Sequence, residues 1–463
     1  ISACLVGSEM CIRDSVKMPS KKTVKDQEDA QSAADNPLQN LDIISPFADH
    51  LRISNLSLNN GNIRFKDKRV KGGMDYYLPK VDFNATNLLL NKETVEHSDT
   101  YLTFDDFKLR FEGFDNLLPG KDYRLKIKDG FLSGMKGRLF LRDVELIPQE
   151  KNWAKAPDMY FAFSSPLVDM RNITYNPSKR NQKIEIGAFE LMTPKIRIIK
   201  ERNGTSKQTK GKDEIPVDLI MTRSNITDLS LIYIDKSVKD TIQLLTKSTG
   251  INTLRWGSKQ GLKTDKIILQ SPDLAIRKSG SQKKSVSSPS ESSKKKEVLP
   301  IDIKEITLVK AHVDLVQPDL EIDFATGLLS LNSLNWNKAV FSIGDFFVDK
   351  PDIKINQILR VKPSLNRSSD NKGSIYEQLG DIAPLISVNN FNISQASIDY
   401  NNRLAGEKAT HQKLNTTSIT FKGLKLDNQQ NNFILDDIDF KTKDLHFPLS
   451  LIHISEPTRQ AEI

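Results

Sequence analysis

The sequence predicts a mainly β protein: an elongated, curved antiparallel sheet of repeated strands, groove-like, with a few short helices. Three observations predict it. A 15-residue phrase of alternating apolar and polar residues recurs along the chain. Polar, turn-rich segments separate the copies. The composition, 38% hydrophobic and 27% charged with 7% aromatic residues, suits a folded chain with a very polar surface.

With h apolar, x mostly polar and s small or proline, the phrase reads h-x-h-x-x-h-x-h-x-x-s-x-h-x-h. The first copy is Leu51, Ile53, Leu56, Leu58, Gly61, Ile63, Phe65, and the second Ile184, Ile186, Phe189, Leu191, Pro194, Ile196, Ile198. A third has Leu262, Ile267, Leu269, Pro272, Leu274 and Ile276, with Thr264 in one apolar slot. Then come Ile301, Ile303, Ile306, Leu308, Ala311, Val313, Leu315 and Phe341, Ile343, Phe346, Val348, Pro351, Ile353, Ile355. The last two are Ile386, Val388, Phe391, Ile393, Ala396, Ile398, Tyr400 and Phe433, Leu435, Ile438, Phe440, Lys443, Leu445, Phe447. Shorter h-x-h-x-x-h-x-h phrases occur at Leu102–Leu109, Leu139–Leu146, Leu329–Trp336 and Ile419–Leu426.

Period-two alternation is the signature of strands with one apolar and one wet face. Each x-x step would swing the apolar set to the opposite face, so each needs a bulge or tight turn there. Ile303, Ile353 and Ile398 are therefore expected to be buried, and Lys304, Lys354 and Asp399 exposed. Three short helices are expected between blocks: one at Ser374–Glu377 (SIYE, a capping-box pattern), one before Leu51, and one in SVKDTIQLL near Ser237. Ile301, Leu329 and Phe341 open three successive phrases, and Ile386, Ile419 and Phe433 open three more at similar spacing.

The two ends stand apart. A back-translation of ISACLVGSEMCIRDS, reverse-complemented and read in another frame, gives LSLIHISEPTRQAE, the close of the chain. Residues 1–15 and 449–463 are accordingly read as translated sequencing adapter and set aside. Without them the chain has no cysteine, since Cys4 and Cys11 lie in the opening, and its formal charge moves from +8 to +10. The expected organisation is a polar, disordered 16–37, a β-repeat region 38–278, a Ser/Lys-rich disordered linker 279–299, and a second β-repeat region 300–448.

The chemistry of catalysis finds no foothold. His50, His97, His312, His411 and His446 lack a second ligand at metal-binding spacing. Asp105–Asp106 and Asp436–Asp437 fall in x-x steps, where turn chemistry explains them. GFLSGMKGR has no phosphate-loop spacing, and the KKKE run lacks interleaved aromatics for nucleic acid. The expectation is a non-enzymatic protein with no cofactor, no metal and no nucleic-acid partner.

Each full phrase offers about six apolar side chains worth roughly 1.5–3 kcal/mol apiece when buried, so the face must be covered. The serial IxIxxIxLxxAxVxL phrases with short helices between blocks resemble the AsmA-like proteins of Gram-negative bacteria, relatives of TamB and of bridge-like lipid-transfer proteins, from roughly Leu38 to Phe447. The resemblance implies a membrane-anchored periplasmic protein with an apolar-lined sheet that moves phospholipid or supports outer-membrane assembly. It implies no catalytic motif. The groove-wall candidates are Ile303, Ile306, Leu308, Ile343, Phe346, Val348, Val388, Phe391 and Ile393, with phospholipid acyl chains and the membrane as partners. The alternative is a structural or adhesive β-repeat protein, closed and dry inside.

Overall fold

A computed structural model describes residues 50–67, 74–91, 102–103, 105–119, 121–150, 158–176, 182–201, 217–257, 261–279, 300–337, 340–359, 384–404, 410–427 and 432–446. The chain is mainly β, and the described residues form two compact units. To within a residue or two at the boundary, the first holds β1 (His50–Asp67), β2 (Met74–Asn91), β3 (Leu102–Thr103), β4 (Asp106–Leu117), β5 (Tyr123–Ser133), β6 (Arg138–Pro148), β7 (Met159–Asn176) and β8 (Gln182–Met192). Among the described residues the successive pairings from β1 through β8 are antiparallel.

The second unit contains β9 (Lys195–Lys200) and three similar meanders. These are β10 (Val217–Asp235), β11 (Asp240–Gly257), β12 (Gly261–Gln270) and β13 (Asp273–Arg277); β14 (Ile301–Gln317), β15 (Leu320–Trp336), β16 (Val340–Asp349) and β17 (Asp352–Leu359); and β18 (Leu385–Ser394), β19 (Ser397–Leu404), β20 (Thr410–Asp427), β21 (Asn432–Ile434) and β22 (Asp437–His446). The meanders open at positions 217, 301 and 385, an even step of 84 residues. Within each, pairing is antiparallel. Between them it is parallel: β12 and β13 pair with β14, and β16 and β17 with β18 and β19. The sheet is therefore mixed rather than antiparallel. Strands on both sides of the Ser/Lys-rich segment share it.

The x-x steps are resolved by backbone conformation more than by slipped pairing. Val309 faces Leu328 before the break in β14, and Ala311 faces Thr326 after it, with the register unchanged. Between them Lys310 sits at φ 54°. The same left-handed residue stands directly before s in six of the seven phrases: Asn60, Thr193, Ser271, Lys310, Lys350 and Gln395. A strand residue placed there reverses the alternation, so side chains three apart share a face. Phe111 and Phe114, on either side of Gly113 (φ 74°), have ring centroids 6.4 Å apart. Thr246 and Thr249 are hydrogen-bonded at 2.9 Å. True register shifts occur where β1 meets β2 near Gly61 and where β20 meets β22 near Thr416.

Gly61, Pro194, Pro272, Ala311, Pro351 and Ala396 are all buried, which explains why s is small or proline. A buried hydroxyl serves the kink from the neighbouring strand. Thr326 Oγ1 donates within reach of the Leu328 carbonyl (3.1 Å) and the Asp349 carbonyl (2.6 Å), just before left-handed Lys350. Ser165 Oγ lies 2.8 Å from the carbonyls of both Leu167 and Met192, just before left-handed Thr193. A non-glycine residue at positive φ costs on the order of 1–2 kcal/mol. Keeping several apolar side chains on one face returns more than that.

Among the described residues no helix forms, and none is long and apolar enough to cross a membrane. The helix expected near Ser237 is instead a hairpin turn between β10 and β11. Asp235 Oδ1 accepts the Ser237 N–H at 3.0 Å, an Asx turn that competes with helix formation. The remaining residues of SVKDTIQLL continue as β11. The helices expected at Ser374–Glu377 and before Leu51 lie outside the described residues.

Candidate functional site

The candidate site is the apolar face of the second unit, assembled by register. Residues directly opposite one another on paired strands present side chains to the same face. One cross-strand row runs Ile267, Ile306, Leu331, Phe346, Phe391, Phe421, Ile438. The next runs Leu269, Leu308, Leu329, Val348, Ile393, Ile419, Phe440. Each crosses seven strands, roughly 29 Å at about 4.8 Å per strand, without a charged residue. Ile303 stands opposite Leu334, and Ile343 pairs with Val388, which pairs with Leu424.

All nine candidates thus lie in these adjoining rows. Phe346 and Phe391 stack at 4.8 Å with an interplanar angle of 2°, and Phe421 follows at 5.6 Å from Phe391. Such pairs add about 0.5–1.5 kcal/mol beyond area burial. Ile303, Leu329, Val348 and Ile419 are buried, whereas Ile306, Leu308, Ile343, Phe346, Val388, Phe391 and Ile393 are half-buried. Ile353 and Ile398, expected to be buried, are also half-buried, because their cover comes from strand neighbours. Lys304 and Lys354 are exposed as expected; Asp399 is partly covered, His411 Nε2 lying 2.8 Å from its Oδ1.

Leu329, Leu331, Ile419, Phe421 and Leu424 belong to the same rows but were not among the candidates. Their signal was present in the shorter phrases at Leu329–Trp336 and Ile419–Leu426, which supply the strands between the full ones.

The opposite face carries the charges. Lys304 Nζ meets Asp265 at 2.6 Å, and Lys266 Nζ meets Glu305 at 2.6 Å. Hydrogen bonds from these lysines lower the pKa of Asp265 and Glu305. His312 Nδ1 lies 2.8 Å from Asp273, and its Nε2 lies 3.2 Å from Asp323. The hydrogen bond to Asp273, with help from Asp323 and against partial burial, raises the imidazole pKa. Parallel pairing of β13 with β14 makes this contact. The partners are 39 residues apart, so local spacing hides them.

In the first unit the same two-faced arrangement recurs. Leu109, Leu132, Leu139, Met170 and Phe189 form one row, and Phe111, Gly130, Leu141, Val168 and Leu191 another. A Cβ on Gly130 would lie 2.3 Å from Phe111 Cζ, so only glycine leaves room for that ring. On the wet face Asp169 is buried between Arg138 and Arg171, each guanidinium Nε within 3.0 Å. Burial opposes ionisation of Asp169, but the arginine hydrogen bonds outweigh it and hold the carboxyl pKa below the usual carboxylate range.

Two depressions lie off the apolar rows. One, of about 480 Å³, is bounded by Arg110, Glu112, Asp129, Arg138, Phe140 and Arg142 among others. The other lies beside Lys310, His312, Thr326 and Lys350. Among the described residues no group of three or more His, Cys, Asp or Glu side chains is placed to hold a metal ion. No family model matches the chain, and neither a curated protein nor a solved structure matches it.

Proposed function

We propose that this chain is an AsmA-like periplasmic protein that binds or conducts phospholipid along a curved, elongated apolar β-groove and supports outer-membrane biogenesis. It acts without catalysis and is held at the inner membrane by an anchor outside the described residues. The observation that carries this reading is the pair of uncharged, seven-strand apolar rows whose side chains stay largely half-buried. An acyl chain laid along them gains about 0.8 kcal/mol per buried CH₂. The ion pairs sit on the other face, which leaves the acyl path free of buried charge.

Purification from a bacterial periplasm, followed by extraction and mass spectrometry, tests the proposal. Stoichiometric phospholipid is expected, and it should be lost from folded Phe346→Asp and Phe391→Asp variants. A lipid-free protein with a closed, dry interior would overturn it in favour of a structural β-repeat.

A further inference from the structure

The wet face of the first unit carries aromatic rings as well as charges. Arg110, Phe131, Phe140 and Asp169 stand opposite one another in turn across β4, β5, β6 and β7, and so share that face. Both rings are half-buried and border the depression of about 480 Å³. That volume falls in the size range of small-molecule sites.

Ion pairing around the depression leaves one charge over. Arg138 gives its Nε and Nη2 to Asp169, both at 3.0 Å, and its guanidinium lies over the Phe140 ring, 5.4 Å from the centroid. Arg142 Nε meets Asp129 at 2.6 Å, and Glu112 takes Lys80 Nζ at 3.1 Å. Asp82, opposite Arg110 on β2, accepts the Asn60 N–H of β1 at 2.7 Å instead. Among the described residues Arg110 is exposed without an ion-pair partner, and Phe131 has no ring partner. An unpaired guanidinium therefore stands directly opposite an unstacked phenyl ring in one depression.

We infer that this depression is a site for a small planar aromatic monoanion, an aryl carboxylate. Its ring packs on Phe131, where offset or edge contacts favour another flat π-system. Its carboxylate takes the fork of Arg110 through two parallel N–H···O bonds. Glu112 and Asp129, each already paired, border the same space and disfavour a second negative charge there. The site uses the charged face of the first unit and none of the apolar-row residues, so it is independent of lipid binding.

Calorimetric titration of the full chain with naphthoate tests the inference. Saturable one-to-one binding is expected. Arg110→Gln, at an exposed position, should weaken it at least about tenfold. Phe131→Leu should weaken it about threefold or more. Arg255→Gln, an exposed arginine of the second unit, should leave it unchanged and so controls for net charge. On the ligand side, naphthalenemethanol lacks the charge and cyclohexanecarboxylate lacks the ring, so each should bind the wild-type chain more weakly than naphthoate. Those two arms hold even where a variant does not fold. A folded wild-type chain with no saturable binding at millimolar naphthoate would overturn the inference. So would an affinity that Arg110→Gln leaves untouched, since naphthoate held on the apolar rows would ignore that arginine, or an alcohol that binds as tightly as the carboxylate.

Discussion

Ser165 in the first unit and Thr326 in the second hold the same position relative to a kink, each with a buried hydroxyl on the carbonyl preceding a left-handed residue. Around those two kinks the strands are joined differently. The first unit runs as one antiparallel meander, while the second repeats a shorter meander across parallel joints. The comparison teaches that kink and joint are separable. The kink follows from the local phrase and keeps the apolar set on one face. The joint follows from the path of the connecting chain.

The largest expected effect tests whether the apolar faces are equivalent. Val168→Asp and Val348→Asp each place an unpaired carboxylate at a buried row position, so each should cost several kcal/mol. Hydrogen exchange resolved by unit should show loss of protection confined to the substituted unit. Loss in only one of the two variants would break the equivalence.

The kink itself is tested next. Ser165→Ala and Thr326→Val both remove the donor to a carbonyl beside the left-handed residue, and each should lower stability by about 1–3 kcal/mol in denaturant unfolding. Lys350→Val, which puts a β-branched residue at φ 48°, should cost about 1–2 kcal/mol, while Lys350→Gly should cost less or stabilise.

Charge on the wet face separates the units by pH. Asp169 has a lowered folded-state pKa, so its contribution is present above the unfolded carboxylate value of about 3.9 and is lost as pH falls through the folded value. Protection in the first unit should therefore weaken in acid, and Asp169→Asn should flatten that dependence. His312 has a raised pKa, so its contribution is full below the unfolded value of about 6.5 and is lost as pH rises through the folded one. Its side chain is 44% exposed, and solvent screening holds this to a fraction of a kcal/mol, the smallest effect predicted. His312→Gln should remove it from the pH profile of the second unit.

Much of the strand pattern was legible in the sequence. Ile303, Ile306 and Leu308 fall in the rows their phrase implied, and the small s residues marked where the kinks lie. The means of correction was less legible. Lysine at 310 and 350 gives no local sign of positive φ, because its conformation is imposed by pairing on both sides. The SVKDTIQLL segment offers an apolar spacing compatible with a helix, and the Asp235 turn decides against it. Parallel pairing was hidden for the same reason as the His312–Asp273 contact: its partners meet across the connecting chain, beyond the reach of any local period.

The parallel joints also set an order of assembly. Gln317 and Leu320 close the β14–β15 hairpin across a two-residue turn, an event on the microsecond scale. Leu262 meets Ile301 only after 39 residues have been brought round, and Phe341 meets Ile386 after 45. Loop-closure entropy must be spent before those contacts give anything back, which slows their formation relative to hairpins. Each meander can therefore nucleate on its own, with the joints closing afterwards, in the manner of repeat arrays whose neighbours add one interface at a time. Refolding followed by pulsed hydrogen exchange should protect the amides shared by β14 and β15 before those shared by β16 and β18.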